Sequence, residues 1–493
     1  MSERGITPMK KNYAEWYTDI VLKAELADYA PVRGCMVIRP YGFAIWEAVK
    51  AELDRRIKAT GVGGKKHRNA YFPLLIPQSL LTKEEEHVEG FSPECAVVTH
   101  GGGKALEEPL NIRPTSETIM YKMYAKWIQS WRDLPLLINQ WANIVRWELR
   151  TRLFLRTLEF LWQEGHTAHA THEEAQEEVL MILNDVYRDF VENVLAIPVV
   201  VGRKSEGQKF PGALTTYTLE AMMQDGRALQ MGTSHDLGQN FAKAFDVRFQ
   251  DENGDLQYVW QTSWGVSTRL IGALIMAHSD DKGLVLPPRI APTRCVVVPI
   301  YKTDQREAVT AEARAIESEL AGSAVARDAA HSEQAVVLDE RDQYKPGWKF
   351  AEWELRGVPI RIEIGPKDVA AGKAVLVRRD TGERIDVPRP NLCGAVTEAL
   401  SAMQEALRRR AEAFLRSRTH RADTLEELAE ILDGEGGFVH APWCGARDCE
   451  DAVQEKTRAT VRCIPSDAEE TDGLPCVACG GEAKWRVPFA KAY

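Results

Sequence analysis

VRWELRTRLFLRTLEF, residues 145–160, lies at the centre of two runs in which aromatic and β-branched residues alternate with charged ones, from residue 139 to residue 172. Alternation at period two around the short interruption LRTRLF predicts a long antiparallel hairpin. Arg146, Glu148, Arg156 and Glu159 carry its charge. Charges alternating on paired strands usually form no more than a solvated face. The stretch WGVSTRLIGALIMAH (264–278) reads as a strand entering an apolar helix, with Arg269 at the junction. Two arginines projecting from one sheet can clamp a nucleotide's phosphates, because a guanidinium fork matches phosphate oxygens.

Outward from the hairpin, residues 43–59 place Ile45, Val49, Leu53 and Ile57 at steps of four among charged neighbours. That spacing predicts an amphipathic helix. The basic loop TGVGGKKHRN follows, and then AYFPLLIP (70–77), read as a buried strand with Pro73 at an edge or interface position. Residues 173–195 read as a helix, IPVVVGRKSEG (197–207) as strand and loop, and 256–264 as a strand. Hairpins with attached helices imply an α+β unit built on a largely antiparallel sheet. Prolines cluster in LPPRIAPTR (286–294), a plausible boundary. Beyond it CVVVPIY, a charged helix near 304–321, AVVLD, a helix near 347–356 and PIRIEIG alternate. A small α/β domain with a mostly parallel sheet is expected there. A charged helix over 395–417 leads to a cysteine-rich tail. The expected domains are 1–288, 289–395 and 396–493.

The net charge of −10 and 44% apolar content suit an ordinary soluble protein. No run reaches the roughly 18 apolar residues of a membrane span, and MSERGITPMKKNYAEWY lacks the apolar core of a secretory signal. A cytoplasmic location is expected. Arg408, Arg409, Arg410, Arg416, Arg418 and Arg421 cluster, diluted by Glu405 and Glu412; a solvated helix face and direct phosphate contact both remain open.

Five of the nine cysteines lie in the last fifty residues. Cys444 and Cys449 form C-x4-C and Cys476 and Cys479 form C-x2-C, spacings that suit a tetrahedral four-thiolate zinc site. Such a site leaves no open coordination position, so the metal would be structural. Cys463 is the spare, in a stretch that reads as strand.

The chain resembles the class II aminoacyl-tRNA synthetases. The helix before YFPLLIP is similar to their dimer-forming first motif, with Pro73 its hallmark; VRWE…FLRTLEF resembles the second and STRLIG the third. RPTSET (113–118), LINQWANIVRWE (137–148), FLWQEGHTAHA (160–170), GTSHDLGQNF (232–241) and SWG (263–265) resemble the prolyl-tRNA synthetases, in the type found in archaea, eukaryotes and some bacteria.

The resemblance implies a catalytic antiparallel-sheet domain, an anticodon-binding α/β domain and a zinc-binding α/β tail. It implies a homodimer that uses ATP with Mg2+, L-proline and tRNA(Pro), and neither DNA nor a membrane. Arg146 and Arg269 would be the catalytic pair. Arg146 would meet the α-phosphate and the proline carboxylate, and Arg269 the γ-phosphate. Glu148, Arg156, Gln230 and Thr233 would complete the ATP site. A prolyl ring nitrogen carries two N–H donors, and the resemblance sets Thr115 and Glu117 to accept them. Trp162, His166 and Phe210 would wall the ring, with Glu164 and His235 nearby. Glu354, Arg361 and Asp368 match positions that read anticodon guanines, a sound pairing for splayed bases. Tyr493 is expected to fold back towards the active site. An apolar pocket discriminates weakly by size, so alanine and cysteine are expected to enter. Glu159 and Arg269 stand only 110 positions apart, leaving no room for the large editing insert of the usual bacterial form. The alternatives are a threonine- or histidine-specific relative, a catalytically inactive paralogue that binds RNA or regulates another protein, and a zinc-dependent nucleic-acid regulator, which would leave the first 290 residues unexplained.

Overall fold

The structure is a computed structural model that describes residues 5–87, 94–148, 150–327, 329, 334–468, 471 and 473–493. Its centre is an eight-stranded sheet. Across it lie, in order, Ile464–Pro465, Val199–Arg203, Thr215–Met222, Ala228–Gly238, Trp260–Ser267, Glu159–His169, Leu136–Val145 and Arg68–Asn69. Every neighbouring pair is antiparallel except the last, where Arg68–Asn69 runs parallel to its partner. The predicted hairpin is its longest ladder, pairing Leu136 with Ala168 through to Val145 with Glu159. Leu149, in its connecting loop, lies outside the described residues.

Antiparallel pairing puts directly opposed side chains on one face. Ile138, His166, Ser263, His235 and Thr216 therefore form one row across five strands. Gln140, Glu164, Gly265, Thr233 and Thr218 form the next. The other face carries Asn139, Gly165, Trp264 and Ser234 and is covered by a long helix. Gly165 has to be glycine, because a Cβ there would lie 2.1 Å from the Trp264 ring.

The covering helix runs as an α-helix over His172–Met181 and then widens into π-helical turns over Ile182–Arg188 and Phe190–Val194. Its apolar side packs with helices Tyr13–Lys23, Pro40–Ala59 and Arg269–His278 into the largest core. The amphipathic helix thus begins three residues before its predicted start, at Pro40.

Two expectations are corrected. AYFPLLIP is not one strand: only Leu75–Pro77 is, paired with Lys104–Ile112. The preceding residues are fastened singly, Ala70 N–H to Asn139 O at 2.9 Å and Phe72 N–H to Gln140 Oε1 at 2.6 Å, so Pro73 is asked for no ladder bond. The small sheet is mixed rather than mostly parallel. Its order is Val336–Leu338, Cys295–Pro299, Ile360–Ile364, Lys373–Arg378 and Arg384–Pro388, with two parallel and then two antiparallel pairs. Helices Arg306–Ala321 and Pro346–Leu355 make the parallel crossovers, and short connections force the later strands to reverse.

Helix Leu392–Ser417 leads from that sheet to a mixed four-stranded sheet of Thr419–Arg421, Phe438–Trp443, Trp485–Ala490 and Thr460–Val461. The arginine cluster on and after this helix is largely engaged with protein: Arg408 pairs with Glu405 and Glu412, Arg409 with Glu405, and Arg418 with Glu435. Among the described residues no helix is long and apolar enough to cross a membrane.

The two Ile464–Pro465 residues reach back to extend the central sheet, pairing with Arg203 and Gly202. A Cβ at Gly202 would stand 2.3 Å from the Ile464 carbonyl oxygen, so glycine is what lets that strand close. Gly202→Ala should lose about 2 kcal/mol in urea unfolding by overpacking, with the region around residue 464 gaining amide hydrogen exchange first.

Candidate active site

The two side-chain rows form the floor of a cavity of about 340 Å³. Thr115, Glu117, Arg146, Trp162, Glu164, His166, Phe210 and His235 all line it. So do Gln230, Thr233 and Arg269. Glu148 and Arg156 do not; they pair with each other at 3.7 Å beside it. Arg156 instead lines an adjoining pocket of about 160 Å³ with Arg150, Arg152, Leu155, Arg269 and Tyr493. Tyr493 is tied there by its hydroxyl, which donates to Asp225 Oδ2 at 2.5 Å.

Glu117 opens helix Glu117–Trp127 and is buried, with Thr115 Oγ1 donating to its carboxylate. The segment carrying both is held by Arg113, a fully buried side chain. Its guanidinium donates to Asn143 O at 2.8 Å, Phe72 O at 2.7 Å and Asn143 Oδ1 at 2.8 Å. Glu164 is the hub of the floor. It accepts from Ser116 Oγ at 2.5 Å and Gln140 Nε2 at 2.8 Å, and meets His166 Nε2 at 3.0 Å. Tyr121 OH closes the other side of that ring at Nδ1, 3.1 Å away. His235 Nδ1 meets Thr216 Oγ1 at 2.9 Å, and its ring packs against Phe210 at 4.8 Å between centroids. Sequence reasoning missed Arg113, Ser116, Tyr121, Gln140 and Thr216. Arg113, Ser116 and Gln140 sit in motifs that carry the resemblance, whereas Tyr121 reaches His166 from helix Glu117–Trp127 and Thr216 reaches His235 only through strand pairing.

The electrostatics separate the cavity into two ends. Burial drives the His235 pKa down to about 3, aided by repulsion from His166, so His235 is neutral near pH 7. Burial alone would strip the proton from His166, but the Glu117 and Glu164 carboxylates outweigh it and raise the pKa above 6.5. Burial also opposes the Glu164 charge; the bonds from His166, Ser116 and Gln140 prevail and hold it below 4.5. This end is built to accept hydrogen bonds from a cation.

The other end is cationic. Arg146 lines it over the rings of Trp162 and Phe160, 5.4 Å and 5.6 Å from their centroids, with its Nε donating to Pro114 O at 3.0 Å. Desolvation, then repulsion from Arg146 and Arg156, brings Arg269 down to about 10, still protonated at neutral pH. Guanidinium groups held together at some cost favour an anion between them.

Elsewhere, Glu354 and Arg361 share a pocket of about 170 Å³ with Trp353, Arg378 and Arg384. Asp368 stands outside it, accepting from Gly365 N–H at 2.9 Å as the cap of helix Pro366–Ala370. The sulfurs of Cys444, Cys449, Cys476 and Cys479 all lie within 4.8 Å of one another. A tetrahedron with zinc–sulfur bonds of about 2.3 Å requires spacings of about 3.8 Å, so the cluster fits with small adjustment. Burial disfavours the Cys476 thiolate, yet backbone N–H groups, those of Cys479 and Ala478 foremost, bring it down to about 7. Cys463 is buried outside the cluster, between the strands Thr460–Val461 and Ile464–Pro465.

This arrangement coincides with known families. Residues 102–278 match the family model for the tRNA synthetase class II core domain (G, H, P, S and T), and residues 294–399 match that for an anticodon binding domain. A class II aminoacyl-tRNA synthetase core, followed by its anticodon domain, is thereby defined. Residues 425–493 match the C-terminal family of prolyl-tRNA synthetase. The proline--tRNA ligase of Natranaerobius thermophilus is 55% identical over 492 residues, covering 99% of this chain and 98% of its own. Those of Roseiflexus sp. and Chloroherpeton thalassium are each 56% identical, with all of both chains covered. The chain belongs to the prolyl-tRNA synthetase family.

Glu164→Gln leaves a buried histidine facing an amide and should cost about 3 kcal/mol of unfolding free energy. The raised His166 pKa stabilises fully below 6.5 and is lost as pH rises through the folded value; the depressed Glu164 pKa stabilises above 4.5 and is lost as pH falls through its own. In urea titrations at several pH values, the gap between wild type and variant should be widest from pH 4.5 to 6.5 and narrow on either side.

Proposed function

We infer that the cationic end of the cavity binds ATP and the carboxylate end binds proline, so that the two meet at Arg146. The chain is an aminoacyl-tRNA synthetase that activates proline with ATP and charges tRNA. The observation that supports the residue assignment is a single cavity lined both by Glu117, Glu164 and His166 and by Arg146, Arg269 and Gln230.

In activation a carboxylate oxygen of proline attacks the α-phosphorus, the bond to the bridging oxygen breaks, and pyrophosphate leaves with the electron pair. No protein nucleophile is needed; the work is positioning and charge neutralisation. Arg146, which lines the cavity, neutralises both the attacking carboxylate and the α-phosphate. Arg269 takes the γ-phosphate, and Arg156 and Glu148 flank the nucleotide, with Gln230 and Thr233 on its sheet side. Magnesium enters with ATP as part of the substrate. The prolyl ammonium gives its two N–H bonds to Thr115 and Glu117, and Trp162, His166 and Phe210 wall the ring. In the second step a hydroxyl of the tRNA 3′ ribose attacks the adenylate carbonyl and AMP departs.

Glu354 and Arg361 share a pocket sized for a base edge, which supports their reading of the tRNA(Pro) anticodon; Asp368 acts there as a cap or as a contact from the rim. The four thiolates hold one structural zinc ion, whose role is to cross-link the tail. Exposed Tyr71, Leu75 and Val97, close to the first-motif segment, support a homodimer. The protein works in the cytoplasm, where tRNA is charged. The inactive-paralogue alternative is not favoured, since Arg146 and Arg269 stand in one cavity with the proline-end groups.

Labelled pyrophosphate should exchange into ATP most strongly with proline among the twenty amino acids, and Arg146→Ala should slow exchange about a hundredfold. Preference for another amino acid would overturn the assignment of the carboxylate end. Metal analysis of dialysed protein should find about one zinc per chain, and Cys476→Ser should abolish it and lower the melting temperature of the tail.

A further inference from the structure

One wall of the catalytic cavity includes Lys204, whose ammonium is set by groups from two distant parts of the chain. It donates to Glu220 Oε1 at 2.7 Å and to the backbone carbonyl of Arg462 at 2.9 Å. The Arg462 guanidinium, 242 residues beyond Glu220, grips Glu220 Oε2 through Nε at 3.0 Å and Nη2 at 2.8 Å. Its Nη1 donates to Thr460 Oγ1 at 2.9 Å, and Thr218 Oγ1 donates to Glu220 Oε1 at 2.8 Å. The three charged side chains are 5%, 0% and 9% exposed for Lys204, Glu220 and Arg462. Glu450 stands near this group from helix Arg447–Thr457, pushed towards its neutral acid by burial against the pull of Ser205 and Lys204.

A buried cluster of two cations and one carboxylate is a poor choice for merely joining two regions, because apolar side chains of similar volume would join them as well or better. Its geometry has a direction. Glu220 faces Gln230 across the strand pair, and its charge acts on Arg269, so the cluster lies at the nucleotide end. An ammonium has three donors. Among the described residues two acceptors meet that of Lys204, and the residue borders the cavity.

We propose that Lys204 is a further nucleotide-contacting residue, giving its third N–H to a phosphate oxygen of ATP, and that Glu220 and Arg462 are positioning residues that aim it. The region after residue 460 thereby completes the catalytic pocket. The proposal rests on the reading of this cavity as the ATP and proline site.

The test is pyrophosphate exchange by the full chain, varying ATP and proline separately. Wild-type protein without proline-dependent exchange would sink the functional reading itself; wild-type exchange isolates the question of Lys204. Lys204→Met should raise KM for ATP about tenfold, the loss of one hydrogen bond to a charged group, and leave KM for proline within about twofold. Arg462→Met should give the same split, and Arg462→Lys, which keeps the charge, should recover most of it. Should Arg462→Met fail to fold, as a thermal melt would show, Lys204→Met and Arg462→Lys decide alone. An unchanged KM for ATP in Lys204→Met overturns the proposal, as does an equal rise for both substrates or a rise for proline only. Failure of Arg462→Lys to resemble wild type overturns the positioning role of Arg462.

Discussion

Strand register is the constraint on which the site depends. The ladder between Leu136–Val145 and Glu159–His169, continued through Trp260–Ser267 and Ala228–Gly238, decides which side chains share a face. A slip of one residue would exchange Glu164 and His166 for Gly165 and Thr167 and turn the pocket floor into the covered face. Gly165 and Trp264 guard against that slip, because the ring occupies the space that any other side chain at 165 would need. A packing contact on the back of the sheet therefore maintains the chemistry on its front.

On that floor, charge is distributed by opposed desolvation. Glu164 keeps its charge because three donors converge on it, whereas His235, which meets the Thr216 hydroxyl and no carboxylate among the described residues, is neutral. The arginines bear the opposite burden, and repulsion between them eases when an anion binds. Binding energy from an anion held there can thus be directed at a reacting centre rather than at new protein contacts.

Much of this was legible in the sequence because the relevant residues lie in continuous motifs. Arg146 and Arg269 flank strongly periodic segments, and the four cysteines announce themselves by spacing. The hidden parts are those that depend on pairing. Gln140 reaches Glu164 only through the hairpin register, Thr216 reaches His235 only through the next ladder, and Arg462 reaches Glu220 from another region of the chain. The reversal within the small sheet was likewise invisible to a count of alternating elements, since it depends on connection length rather than on strand composition. AYFPLLIP misled because its apolar run resembles a strand, while its backbone groups are satisfied one at a time by Asn139 and Gln140.

The strand Ile464–Pro465 also has a consequence for biosynthesis. It seals an edge of the central sheet, and that edge belongs to Val199–Arg203, which leaves the ribosome long before its partner. Throughout the intervening translation the nascent sheet presents unpaired backbone groups, a template for unwanted association. Only when the segment around residue 464 emerges can the edge close. Chains that terminate early would keep that adhesive border, and quality control has a feature by which to distinguish them from finished enzyme.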